Sequence, residues 1–302
     1  MSQNSKGPIL RTDKNGAKHY GKIYQYPCGV MDIFASSEPI FGPKGWEESE
    51  DYGRPKAAPV RNRVEREKTE PQAEDLERSM RRAKGKLRRL ALSNDFRYFV
   101  TLTLDPAKVD SHDGAAVVKK LNAWASNAVQ RHGLKYILVP ERHKKGGIHF
   151  HGFFNDALPA EDSGTIRVPW AKKPRRPRSA AERAEWLAAG GRIVYNLPGW
   201  TLGFTTAMKL YGEYPAAVAY VCKYIGKDGT KPSGRWYYSG GDLVEPTVEY
   251  VEISPAELAA EYEGRALVFY PPGKQIAVVN GINVREQVQK EEQHASSLFD
   301  ID

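Results

Sequence analysis

Two histidines that are separated by one residue could bind a metal ion together. His149 and His151 lie in an apolar segment, and because successive side chains of a β-strand point to opposite faces, both imidazoles would share one face. A second apolar run ends at Glu141, and a hairpin with its turn centred near Lys145 would place Glu141 opposite His149, with Cβ atoms about 5 Å apart. The pattern predicts a metal site of two imidazoles and one carboxylate, with positions left for a substrate. His143, which is nearer the turn, is an alternative ligand.

Two tyrosines are the second group of residues that could do chemistry. Tyr220 and Tyr224 lie in a segment for which we predict a helix. Pro215 suits the first turn of that helix, and Asp228 with Gly229 supplies its end. Residues four apart share one helical face, so the two phenol hydroxyls would lie side by side. An aromatic stripe packed into the core is the alternative interpretation, since tyrosine is amphipathic.

Nearby cations would help these phenols to react. A phenol with a pKa of about 10 is almost entirely protonated at neutral pH, so it is a poor nucleophile until a cation or a base assists it. Lys223 and Lys227 each follow one of the tyrosines by three positions, and they could offset negative charge on a phenolate or a phosphate. A metal ion at the hairpin would act as a Lewis acid. These residue types together suit attack on a phosphodiester.

Three sequence blocks follow one another along the chain. They are the strand-like segment Phe99–Asp105, the histidine strand with the preceding Glu141, and the helix with Tyr220 and Tyr224. In this order the chain resembles the HUH endonucleases that initiate rolling-circle replication. The paired tyrosines resemble those of the two-tyrosine branch, which is found in initiators of single-stranded DNA phages and related plasmids. The resemblance covers roughly residues 75–245.

The resemblance implies an enzyme that nicks DNA and transfers strands. A tyrosine would attack single-stranded origin DNA to leave a 5′-phosphotyrosine and a free 3′-hydroxyl, and the second tyrosine would permit a later transfer that rejoins the strand. The metal, Mg²⁺ or Mn²⁺, would be held by His149, His151 and Glu141. The partners would be single-stranded or supercoiled origin DNA, a host helicase and the host replication machinery, because the chain has no Walker A segment.

Two other functions are compatible with parts of the sequence. A transposase or a plasmid mobilisation relaxase of the HUH type would use the same core chemistry. Tyrosines that follow the histidine strand disfavour typical relaxases, whose nucleophile lies near the N-terminus. A non-catalytic nucleic-acid-binding protein with an RRM-like sheet would instead stack bases on aromatic side chains. That function leaves the alignment of His149, His151 and Glu141 unexplained, together with the two overlapping Tyr-x-x-Lys units.

The charge of the chain favours a polyanionic partner. Its 302 residues have a formal net charge of +8 and a pI of about 9.2. One basic cluster, from Arg78 to Arg89, is predicted to lie on an amphipathic helix, where a solvated face and a DNA contact are the alternatives. The other cluster is a proline-rich loop that we expect to contact the DNA backbone. Its basic residues are Lys172, Lys173, Arg175, Arg176 and Arg178.

The order of the predicted elements indicates an α+β fold. A helix, a strand, a second helix and the two hairpin strands precede the tyrosine helix. This order fits the RRM-like core of the HUH family, a central antiparallel sheet with packed helices that we expect on one side. We expect this domain to span residues 71–250, with a basic insertion near 156–190. Residues 1–70 would be a partly ordered N-terminal arm, and residues 251–302 a C-terminal extension with a polar tail.

Cysteines and targeting signals bear on the cellular location. Cys28 and Cys222 are the only cysteines, too few for a disulfide scaffold or a four-thiolate zinc site, which favours a reducing environment. The sequence contains no run of about 18 apolar residues and no signal-peptide pattern. We therefore expect a cytoplasmic protein without a membrane partner.

Overall fold

The computed structural model describes residues 11–12, 18–38, 73–144, 146–210, 214–227, 229–271 and 273–284. The predicted turn centre Lys145, the helix-end residue Asp228 and most of the expected arm and tail therefore lie outside the described residues. The chain divides into a central unit, Ala73–Glu245, and a terminal unit made of Met1–Gln72 and Pro246–Asp302. Within the described ranges no helix is long and apolar enough to cross a membrane.

The fold is α+β, with two antiparallel sheets and five helices in the described part of the chain. The helices are α1 (Ala73–Leu92), α2 (Gly114–His132), α3 (Ala180–Ala188), α4 (Tyr214–Tyr224) and α5 (Pro255–Glu261). The strands are β1 (Arg11–Thr12), β2 (Lys18–Gln25), β3 (Val30–Ser36), β4 (Tyr98–Leu104), β5 (Tyr136–Arg142), β6 (Ile148–Phe154), β7 (Glu161–Arg167), β8 (Arg192–Asn196), β9 (Gly203–Lys209), β10 (Tyr238–Gly240), β11 (Thr247–Val251), β12 (Leu267–Phe269) and β13 (Ile276–Asn283).

The central unit is built on a seven-stranded sheet with the order β10-β5-β6-β4-β9-β8-β7. Helix α2 packs on one face, where its buried Leu121 shares a core with Leu102 of β4. Helix α4 lies on the opposite face, where the ring of Tyr220 contacts the ring of Phe99. Phe99 and Leu102 are an odd number of positions apart in one strand, so their side chains point to opposite sides of the sheet.

The expectation that the helices lie on one side of the sheet is therefore wrong. Strand β5 is buried at six consecutive positions, from Tyr136 to Glu141, and a strand that is largely apolar on both faces needs cover on both. Helix α1 packs against α4 and adds to the cover of the second face. The tyrosine helix thus lies on the face that carries the histidines, and α2 lies on the other.

Capping interactions explain where α2 begins and ends. The side chain of Asp113 accepts hydrogen bonds from the backbone N–H groups of Ala115 and Ala116, which would otherwise lack a helical partner. Gly133 ends the helix with φ of 67°, a left-handed conformation that glycine adopts without steric cost. The helix predicted over residues 114–131 is thereby confirmed as Gly114–His132.

The hairpin of β5 and β6 has the predicted register. Glu141 pairs with His149, and the residue opposite His151 is two positions before Glu141, so the carboxylate and both imidazoles share one face. Gly152 allows the two strands to approach closely, since a Cβ at that position would lie 1.8 Å from the carbonyl oxygen of Ile137. The chemistry-bearing face of the hairpin is therefore set by strand alternation and by one small residue.

Part of the segment expected as a basic insertion belongs to the sheet. Strand β7 forms one edge of the sheet and pairs with β8, which sets Arg167 opposite Arg192. The sequence of β7 is mostly polar, as suits an edge strand, and it therefore lacks the apolar alternation that identifies half-buried strands. The short helix predicted at residues 180–189 is confirmed as α3.

The terminal unit joins distant parts of the chain in a second sheet. Strand β2 pairs with both β3 and β11, as in the contact of Gln25 with Thr247, and β13 pairs with β3 and β12. Buried Ile33 and Val279 from this sheet pack with Leu258 of α5. Residues 18–36 of the expected N-terminal arm therefore share a core with the expected C-terminal extension.

Candidate metal and tyrosine site

The three predicted metal ligands lie together on one face of the hairpin. One ligand atom from each of Glu141, His149 and His151 lies within 4.8 Å of the other two. The Nε2 atoms of the two histidines are 2.9 Å apart, and they lie 3.2 Å and 3.0 Å from Oε2 of Glu141. No side chain of the three is more than 15% exposed. Two imidazoles and a carboxylate at this spacing fit a divalent metal ion, whose identity the mixed donors do not decide.

A neighbouring strand orients one of these ligands. Thr101 of β4 pairs with His151, and its Oγ1 lies 3.1 Å from Nδ1 of the imidazole. Such a hydrogen bond to the far ring nitrogen holds the ring so that Nε2 faces Glu141. Nδ1 of His149 is buried and has no hydrogen-bond partner among the described residues. Sequence analysis missed Thr101, although alternation along β4 would have placed it on this face.

His143 lies beside the ligand group. Its ring centroid is 5.9 Å from that of His149, and its side chain is exposed at the hairpin turn. The group of ligand atoms that could share one ion consists of Glu141, His149 and His151. The geometry thus favours Glu141 over His143 as the third ligand.

Electrostatics keep these side chains in the ionisation states that a metal ion needs. Burial opposes ionisation of Glu141, but a hydrogen bond from Lys227 and the charges of the two histidines hold its pKa below the ordinary value. Burial, together with the neighbouring His149, lowers the pKa of His151 to about 4, although Glu141 opposes this shift. Burial also lowers the pKa of His149 against the effect of Glu141. At neutral pH a charged carboxylate faces two neutral imidazoles, which is the donor set that metals bind.

Helix α4 presents both tyrosines to this group. The hydroxyl of Tyr224 donates a hydrogen bond to that of Tyr220, with the oxygens 2.6 Å apart. The ring of Tyr224 stacks on His151 with a centroid separation of 4.0 Å. The helix is fixed by its two buried valines, so Tyr220 can remain 49% exposed. This exposure argues against the alternative of an aromatic stripe packed in the core.

The two phenols are not equivalent. Burial and the hydrogen bond with Tyr220 raise the pKa of Tyr224. Tyr220 is instead open to solvent on one side and contacts the ring of Phe99 with a centroid separation of 5.9 Å. Ionisation of Tyr224 therefore needs more assistance than ionisation of an exposed phenol.

One of the two predicted lysines contacts the metal ligands. Lys227 forms an ion pair with Glu141, and its Nζ lies 5.5 Å from the centroid of the Tyr224 ring. The chain can turn back after the helix because Gly226 has φ of 73°, a conformation that favours glycine. Lys223 is exposed on α4 and forms no ion pair within the described ranges.

The predicted DNA-binding loop is exposed beside the edge of the central sheet. Arg175 exchanges two backbone hydrogen bonds with Ile166, and the carbonyl of Lys172 accepts a hydrogen bond from Arg167. These contacts hold the loop against β7. Its five basic side chains, those of Lys172, Lys173, Arg175, Arg176 and Arg178, are all exposed. Contact between this loop and DNA stays a prediction.

A family model supports the character of this unit. Residues 97–229, which run from just before β4 to just beyond α4 and are less than half of the chain, match the family of the replication-associated protein ORF2. This match supports a rolling-circle Rep-type protein. It also suggests a role in the initiation of replication and implies DNA binding. No curated protein and no solved structure matches the chain significantly.

Proposed function

We propose that this protein initiates rolling-circle replication by nicking single-stranded origin DNA through attack by a tyrosine, and that it later rejoins the strand. The observation that carries the proposal is the contact between the two groups of residues. Tyr224 stacks on His151 at 4.0 Å, and its hydroxyl lies 2.6 Å from that of Tyr220. Both candidate nucleophiles are therefore adjacent to the residues that would hold a metal against a phosphate, and such proximity supplies much of the rate in group transfer.

The first transfer exchanges one phosphodiester for another. A phenol oxygen bonds to phosphorus and loses its proton, the bond from phosphorus to the 3′-oxygen breaks, and that oxygen leaves with a proton as a 3′-hydroxyl. A metal ion held by Glu141, His149 and His151 would supply Lewis-acid polarisation of the phosphate. Lys227 places a positive charge beside Tyr224, which offsets negative charge during the transfer.

The second tyrosine permits a second transfer while the first is esterified. Because the phosphotyrosine conserves the phosphodiester, a 3′-hydroxyl can attack it to rejoin DNA without ATP. The phenols lie one helical turn apart at the same ligand group, so either oxygen could reach a phosphate held there. A transposase or relaxase would share this geometry, and the match to a replication-associated family favours the replication function.

A non-catalytic RRM-like binder is the candidate from another class. RRM-like readers stack bases on an open sheet face. In the central unit, α2 covers one face of the sheet and α4 lies over β5 and β6 on the other. The aromatic side chain that contacts His151 belongs to the helix, and its place beside a carboxylate and two imidazoles suits catalysis.

A covalent adduct tests the proposal directly. The full chain would be incubated with random-sequence single-stranded DNA that carries a 3′-terminal label, in Mg²⁺ or Mn²⁺, and then denatured in detergent. A 5′-phosphotyrosine retains the 3′ portion of the strand, so the protein should become labelled, and sequencing of the retained DNA should identify a preferred cleavage site. Absence of labelled protein under both metals would overturn the proposal.

Tyrosine variants assign the nucleophiles. Tyr220→Phe and Tyr224→Phe should each keep some adduct formation but lose the second transfer, because phenylalanine preserves packing and removes only the hydroxyl. The double variant should form no adduct. Peptide mapping that finds DNA on only one of the two tyrosines in the wild-type protein would reduce the site to a single nucleophile.

A further inference from the structure

A cleft of about 410 Å³ lies beside the exposed tyrosine. Its floor is formed by β4 and β9, and α4 forms a wall with Ala216, Ala217 and Tyr220. The floor continues the face of the sheet that carries the histidines, because Thr101 pairs with both His151 and Thr206. The cleft therefore begins at one of the candidate nucleophiles and extends away from the metal ligands along the sheet.

Two arginines face each other at the far side of this cleft. Arg167 and Arg192 are directly opposed on β7 and β8, and both side chains are exposed. Like charges at directly opposed positions destabilise a sheet unless an anion lies between them. None of the described residues that line the cleft is acidic. The pair is thus suited to a phosphate, which arginine binds through two parallel N–H donors.

The rest of the cleft suits a nucleobase. Phe99 and Met208 are paired on β4 and β9 and give an apolar floor, and Thr206 adds an exposed hydroxyl. A flat apolar surface accepts any base by stacking, whereas hydroxyls can donate to or accept from a base edge. The volume lies within the range of small-molecule sites and leaves room for one nucleotide.

We propose that this cleft binds one nucleotide adjacent to the scissile phosphate, with its base against Phe99 and Met208 and its phosphate between Arg167 and Arg192. The inference rests on the proposed function and deepens it by naming the residues that position the strand. Arg167 also donates a hydrogen bond to the carbonyl of Lys172, which ties the cleft to the basic loop. The guanidinium is thereby held in place before DNA binds.

Uncharged linkages test the arginine contact. DNA of the sequence recovered from adducts would carry a methylphosphonate at one linkage at a time, and its binding would be measured by fluorescence anisotropy. One linkage near the cleavage site should weaken binding to the wild-type protein about tenfold. In Arg167→Gln/Arg192→Gln, binding of ordinary DNA should fall by a similar factor, and that linkage should cause no further weakening.

A charge-matched control separates this contact from general electrostatics. Arg131→Gln removes a positive charge from α2, on the opposite face of the sheet, and it should leave the linkage effect intact. If the methylphosphonate profile of Arg167→Gln/Arg192→Gln has the same shape as that of the wild-type protein, the arginines do not hold a phosphate and the proposal fails.

A second variant tests the base site without touching the arginines. Ala216→Leu lengthens an exposed side chain on the wall of the cleft and should slow adduct formation about tenfold by filling the space for a base. An abasic nucleotide at the affected position should restore the rate. Slow reaction without this rescue would overturn the base site. A wild-type protein that binds the DNA but forms no adduct would instead refute the proposed nicking function.

Discussion

The central and terminal units differ sharply in charge. Residues 73–245 contain 29 Lys and Arg against 17 Asp and Glu, whereas the remaining residues contain 16 against 20. The overall value of +8 therefore averages a strongly basic unit with a slightly acidic one. Since neutralisation of phosphates by Lys and Arg dominates affinity for nucleic acids, we expect DNA to contact the central unit.

The two sheets differ in the same sense. The central sheet is covered by helices on both faces and carries every candidate ligand and nucleophile. The terminal sheet packs one face against α5, where Ile33 and Val279 meet Leu258. Tyr24 and Phe34 lie half-buried on its other face, because they alternate with the core residues. The difference indicates that cleavage belongs to the central unit alone.

Removing the imidazoles should have the largest effect. His149→Ala/His151→Ala should reduce adduct formation about a thousandfold or more, because the metal ion that polarises the phosphate would no longer be held. Binding of single-stranded DNA should largely persist, since phosphate contacts elsewhere supply it. His132→Ala, an exposed histidine in the last turn of α2, is the matched control. Wild-type cleavage by the double variant would sink the metal assignment.

Removing only the charge of the carboxylate should have a smaller effect. Glu141→Gln keeps the shape of the side chain but offers a neutral oxygen, which is a poorer ligand for a hard dication. The concentration of Mg²⁺ or Mn²⁺ that gives half-maximal adduct formation should rise about tenfold or more. An unchanged metal titration would mean that another ligand, such as His143, replaces Glu141.

The stability of the central unit should depend on pH through the buried imidazoles. His151 has a pKa of about 4 in the folded chain and an ordinary value of about 6.5 when unfolded. The unfolded state therefore binds the extra proton first, so this contribution is complete above pH 6.5 and is lost as pH falls through about 4. We expect His151 to account for a loss on the order of 2 kcal/mol over that range.

Denaturant titrations followed by tryptophan fluorescence would measure this loss, because five of the six tryptophans lie in residues 73–245. The experiment would use metal-free protein at several pH values between 7 and 4. His151→Asn should make the free energy of unfolding less dependent on pH. An identical dependence in the variant would show that His151 is solvated in the folded chain.

The basic loop should give the smallest effect. Replacing its five cations, Lys172, Lys173, Arg175, Arg176 and Arg178, by Gln should weaken binding to all single-stranded sequences by about tenfold. The slope of log affinity against log salt should fall by about 0.7 for each phosphate that the loop no longer neutralises. Lys22→Gln/Arg265→Gln/Lys274→Gln in the terminal unit is the comparison, and it should leave the slope unchanged. The opposite pattern of slopes would break the distinction between the two units.

Local patterns in the sequence were enough to predict much of the candidate site. Alternation along a strand put His149 and His151 on one face, the turn length set Glu141 opposite His149, and helical spacing put Tyr220 beside Tyr224. These relations depend on neighbours in the chain, whose geometry is nearly the same in every fold. The registers and the helix bounds were therefore predictable within a few residues.

Tertiary structure alone decided the relations between distant segments. It placed helices on both faces of the central sheet, set Thr101 behind His151, and brought Lys227 but not Lys223 to Glu141. It also opposed Arg167 to Arg192 and paired β2 with β11. Each of these depends on how whole elements pack and on which strands become neighbours. Such choices minimise the exposed apolar surface of the entire chain, and no short stretch of sequence records them.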